Sequence, residues 1–152
     1  MRRKLLLLVC LPLGLAACGN APNDLWGSID ESFPLTFDRV DLLKQNLDLR
    51  IEYIRSLQGG EDKVCKVTVQ TDNLEIKDNS DIADDVFMKR VTVERIAAVG
   101  GPFPPVTGGH MHFDSFAFQN KGRIEGNFTV VFATGRNLFG NFRGDTQIVD
   151  TN

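Results

Sequence analysis

Histidine is scarce in this chain, and its scarcity removes more functions than any other feature. There are two, His110 and His112, beside three cysteines, one tryptophan and one tyrosine in 152 residues. Nucleophilic hydrolysis needs a Ser or Cys next to a His that a third group orients, and no Gly-x-Ser-x-Gly turn occurs. Phosphate-cradling glycine loops and dinucleotide fingerprints are missing too. Carboxylates are plentiful, but no pair stands out for acid and base work, so the chain reads as noncatalytic. Basic patches with interleaved aromatics are also lacking, and a formal net charge of −3 argues against nucleic acid as a partner. After the first 17 residues no apolar run is long enough to span a bilayer.

What is present begins with a leader. Arg2, Arg3 and Lys4 form a positive segment, and Leu5 to Leu15 is apolar but too short, and too interrupted by Pro12 and Gly14, to span a membrane. It reads as a secretory signal. The signal ends in Leu15-Ala16-Ala17-Cys18-Gly19, a leucine and two small residues before a cysteine, and here the chain resembles the bacterial lipoproteins. Cys10 fits the same motif badly, since Val9 is bulky and the apolar run before it is short. The resemblance implies cleavage before Cys18, a diacylglyceryl thioether on its sulfur and acylation, typically palmitate, of the new amine. It implies a protein anchored in the bilayer through Cys18. With Gly19 rather than Asp after the cysteine, it further implies the outer membrane of a Gram-negative cell.

Removing Arg2, Arg3 and Lys4 from 17 basic residues leaves 14 against 20 acidic ones, about −6 for residues 18–152. Cys65 then has no internal partner, and in Val64-Cys65-Lys66-Val67-Thr68-Val69 it shares a face with valines, as a buried inert thiol does. Residues 18–25 read as lipidated cysteine and tether, and residues 26–152 as one domain. Trp26 could lie at the headgroup level or plug the end of a core, and the plug is the preferred reading.

Period-two alternation dominates the rest. His110 to Phe118, Arg123 to Phe132 and Arg136 to Val149 read as a three-stranded meander with turns at Gln119-Asn120-Lys121-Gly122 and Ala133-Thr134-Gly135. Gly135 suits a left-handed bulge position, which sets Val130 opposite Leu138, Phe128 opposite Gly140 and Gly126 opposite Phe142. A four-residue first turn sets Met111, Phe113, Ser115 and Ala117 beside Val130, Phe128, Gly126 and Ile124. Earlier strands are expected over Leu35–Leu43, which also suits a helical spacing, Leu47–Ile54, the Cys65 segment and Val86–Ala97. Asp72 to Asp85 reads as a solvated acidic loop, because it lacks the glycine and ligand spacing of a calcium loop. Seven or so short strands predict an all-β fold, an antiparallel β-sandwich first and a partly open barrel second. The general look is similar to small envelope lipoproteins rich in β-structure.

Two surfaces carry chemistry. His110 and His112, at i and i+2, project to one side of a strand and suit half of a zinc or copper site, though no third histidine completes it; the other reading is a solvated pair. Phe116 and Phe139 beside Asn127, Asn141 and Asp114 combine apolar area with hydrogen-bonding groups, as a face for a glycan or an envelope protein does. The competing reading places Phe116, Phe118 and Phe139 in a second core layer. No cofactor is expected apart from that metal.

Overall fold

The computed structural model describes residues 22–149, so the leader and Cys18 lie outside the described residues. In chain order the elements are β1 (Asp24–Trp26), β2 (Arg39–Gln45), β3 (Asp48–Leu57), β4 (Gly60–Gln70), β5 (Ser80–Ile82), the helix α1 (Asp84–Arg90), β6 (Val91–Ile96), β7 (Val106–Phe116), β8 (Arg123–Phe132), β9 (Asn137–Asp145) and β10 (Gln147–Ile148). They form two five-stranded sheets, ordered β1-β9-β8-β7-β5 and β10-β2-β3-β4-β6, antiparallel except where β10 joins β2. This is the expected sandwich, and neither sheet closes into a barrel.

Alternation explains the core. In β3 and β4 Leu49, Ile51, Tyr53, Val67 and Val69 are buried; in the facing sheet Met111, Phe113, Ile124, Phe128, Val130, Leu138 and Phe142 are. All belong to one cluster. Tyr53 ties the layers together, since its hydroxyl donates to the Asn141 carbonyl at 2.7 Å and its ring meets Phe128 edge-on. Cys65 is fully buried here.

The β8–β9 register is as expected, with Phe128 opposite Gly140 and Gly126 opposite Phe142. A left-handed Gly135, φ 78°, closes its turn. The β7–β8 register differs by two residues: Met111 faces Phe128 and Phe113 faces Gly126. A bulge at Asp114, between Phe113 and Ser115, then reverses the side on which later residues emerge. The expected third strand also divides. β9 ends at Asp145, and buried Thr146 carries the chain to β10 in the other sheet while its hydroxyl donates to the Gly122 carbonyl.

Three other expectations need correction. The first half of Val86–Ala97 is α1, whose first turn carries Asp84 and Asp85 and whose last carries Lys89 and Arg90, charges that suit the helix dipole. The acidic stretch is not merely solvated, since β5 lies within it. The tether ends earlier than expected, because Asp24 and Leu25 already pair with β9.

Candidate functional site

The outer side of the β1-β9-β8-β7-β5 sheet gathers most of the residues singled out from sequence. Cross-strand pairing lines up Asp24, Asn141, Asn127, His112 and Asp81 in one row spanning all five strands. The next row is Trp26, Phe139, Thr129 and His110. Each row follows from the alternation, because the residues between them, Leu25, Gly140, Phe128 and Met111, point into the core.

Trp26 is not a core plug. Its side of β1 faces outward, the residue is 43% exposed, and its indole stacks on Phe139 with centroids 5.6 Å apart and planes 20° from parallel. Beside this pair, Asn127, Asn141 and Thr129 are half-buried, and their side chains have no hydrogen-bond partner among the described residues. Amides that are neither paired nor fully exposed retain donors and acceptors for a ligand.

Phe116 does not belong to this face. The bulge at Asp114 turns it inward opposite Ile124, where it packs edge-on to Phe113 at 4.9 Å and stacks with Phe118 at 5.5 Å. Lys44 lies 4.5 Å over the Phe118 ring and donates to the Phe118 carbonyl. Phe116 and Phe118 thus follow the core-layer reading, whereas Phe139 stays on the outer face. Asp114 is exposed at the bulge, one row beyond Asn127 and Asn141, and so does not join them as expected.

The histidines do come together, with a partner that the sequence does not suggest. Asp81 on β5 brings one carboxylate oxygen to 2.9 Å from His112 Nδ1 and 3.2 Å from His110 Nε2. Asp114 lies 3.4 Å from His112 Nε2. Hydrogen bonding to His112 holds the Asp81 carboxyl below its ordinary range, against a smaller opposing effect of desolvation. Among the described residues no three His, Cys, Asp or Glu side chains are arranged to hold a metal ion. The pair serves as a junction between β5 and β7.

Its neighbours explain the acidic stretch. Asp78 accepts from the Phe116 amide at 2.7 Å, Asp81 engages the histidines, and Asp84 accepts from the Gly109 amide at 2.7 Å. Three aspartates spaced by three residues are therefore pinned along β7. This fixes the border of the face.

Sequence reasoning missed Trp26, Asp24 and Asp81 as members of it. Both β1 and β5 are three residues long, too short to show a period, and β1 reaches β9 across more than a hundred residues. Comparison with known proteins finds no matching family model, no matching curated protein and no matching solved structure.

Proposed function

We propose that this chain is a noncatalytic lipoprotein of the cell envelope, anchored in the outer membrane through acylated Cys18, that takes a ligand on the outer face of the β1-β9-β8-β7-β5 sheet. The observation that carries the reading is the exposed Trp26–Phe139 stack beside the unpartnered amides of Asn127 and Asn141. Large aromatic area left in water is uncommon unless it is used. Half-buried amides beside it supply direction to a contact that apolar area alone would leave loose.

The anchor and the face support each other. Five residues, Gly19 to Asn23, separate Cys18 from β1, and a fully extended chain of that length reaches about 20 Å. Since β1 is the edge strand that carries Trp26, the lipid would hold the face near the bilayer.

Trp26 is the chain's one tryptophan, so its emission reads this face alone. The test uses the lipidated protein purified from membranes in a polyoxyethylene detergent, which contains no sugar. Addition of a deproteinised extract of the cell envelope, which brings no tryptophan of its own, is expected to shift Trp26 emission saturably, and an Asn127→Ala/Asn141→Ala variant is expected to lose the shift. An unresponsive wild type, or a response unchanged in the variant, overturns the binding face.

A further inference from the structure

Resting on that reading, we infer that the face is a site for a neutral saccharide, with one pyranose ring seated over Thr129 against Phe139 and its hydroxyls taken by Asn127 and Asn141. Four features of the face lead there.

The first is the sequence of sizes along the row. Thr129 is a small residue between Phe139 on β9 and His110 on β7. The backbones of β9 and β7 lie two strand spacings apart, about 9.6 Å. Between the flanking side chains Thr129 is the low point of the row, a gap that suits a single six-membered ring.

The second is the state of the Phe139 ring. Trp26 packs on it from β1 in a nearly parallel arrangement, so the side of the ring toward β8 and Thr129 is the one that Trp26 leaves uncovered. Aromatic faces are electron-rich, and the C–H bonds on one side of a pyranose are polarised to meet them. Trp26 fixes the wall in place before any ligand arrives, which lowers the ordering cost of binding.

The third is the type of polar group. Asn127 and Asn141 lie one row away, adjacent on neighbouring strands. A side-chain amide both donates and accepts, as do the neighbouring hydroxyls of a sugar. A peptide would instead be read through a free strand edge or an apolar pocket. The edge strands here, β1 and β5, are three residues each, too short to template a peptide strand, and the gap is floored by a threonine.

The fourth is charge. Asp24 and Asp81 end the row that holds the amides, Asp114 lies 3.4 Å from His112 in that row, and Arg143, two residues along β9 from Asn141, lies 3.6 Å from Glu125. An acidic rim repels uronic acids and phosphorylated sugars. A neutral ring meets no such penalty.

The experiment titrates the same detergent-solubilised lipoprotein with cellotetraose, maltotetraose, N-acetylchitotetraose and, as the acidic counterpart, tetragalacturonate, reading Trp26 emission. At least one neutral oligosaccharide is expected to shift the emission saturably, with a Kd of roughly millimolar or tighter. Phe139→Ala and Asn127→Ala/Asn141→Ala should each weaken it about ten-fold or more, while Phe139→Tyr, which keeps the stack and the fold, retains binding. Circular dichroism checks that the variants fold.

No response to any neutral oligosaccharide up to about 10 mM overturns the assignment, given that weaker binding would be little more than contact. So does a preference for tetragalacturonate, or a response that survives the asparagine variant. If the saccharides fail while the envelope extract still shifts Trp26, the binding face stands and its ligand belongs to another class. If both fail, both readings fall.

Discussion

Gly140 shows how one residue can decide the packing of two sheets. The Phe128 ring from the neighbouring strand and the Tyr53 hydroxyl from the opposite sheet fill the space that a methyl group would occupy there. That hydroxyl also donates to Asn141, next to Gly140, so crowding at one atom disturbs the bond that joins the layers. Gly140→Ala should therefore destabilise the fold by about 1–3 kcal/mol, the usual cost of overpacking a filled core. Gly60 is the control, since an added Cβ there meets nothing within 4 Å. Gly60→Ala should stay within about 0.5 kcal/mol of the wild type in urea unfolding. Equal losses in the two variants would show that the cost lies in the backbone and not in the contact with Phe128 and Tyr53.

At the scale of elements, what could be read from sequence depended on how local the pairing was. The β8–β9 hairpin was legible because Gly135 fixes its turn and each ring then falls on a glycine across the strands. The β7–β8 pairing was not, because the turn is one residue longer, with Ala117 rather than Phe118 bonded to Arg123, and the bulge at Asp114 adds a second unpaired residue without breaking the alternation that precedes it. His110 and His112 therefore kept their outward side, whereas Phe116 changed layer. Of the face proposed from sequence, Phe139, Asn127 and Asn141 remain. Trp26 joins through a strand too short to announce itself.

The opposite sheet supplies a test of electrostatics at the same scale. Glu52 on β3 is buried on the outer side of its sheet beneath Arg50 and Lys63. Burial pushes its carboxyl up, but hydrogen bonds from Lys63 and Arg50 outweigh that and hold it below the ordinary value. A carboxyl lowered by folding adds stability above its unfolded pKa, and that stability is lost as pH falls through the folded one. Glu52→Gln should cost about 1–3 kcal/mol at neutral pH, the range for hydrogen bonds to charged groups. The gap between variant and wild type in urea midpoints should close as pH falls through the acid range. A gap that stays constant down to the acid limit would assign the cost to packing.

For the whole molecule, anchoring and fold meet in a count of thiols. The chain has three cysteines, at 10, 18 and 65. On the proposed lipidation, cleavage before Cys18 would remove Cys10 and a thioether would block Cys18, so only Cys65 would remain free. Cys65 is enclosed by the core, and burial pushes its thiol well above the ordinary range, which leaves almost no thiolate to react. The lipoprotein purified from membranes should therefore give no reaction with a thiol reagent while folded, and one thiol per chain after unfolding in guanidinium. A thiol that reacts in the folded protein would place a free cysteine outside the core and contradict acylation of Cys18. Two thiols on unfolding would do the same. A Cys10→Ser/Cys18→Ser variant separates lipidation from burial. Without the acceptor sulfur it should lose its lipid mass, while Cys65, now the one thiol of the chain, still waits for unfolding, because the burial of that thiol is a property of the sandwich and not of the anchor.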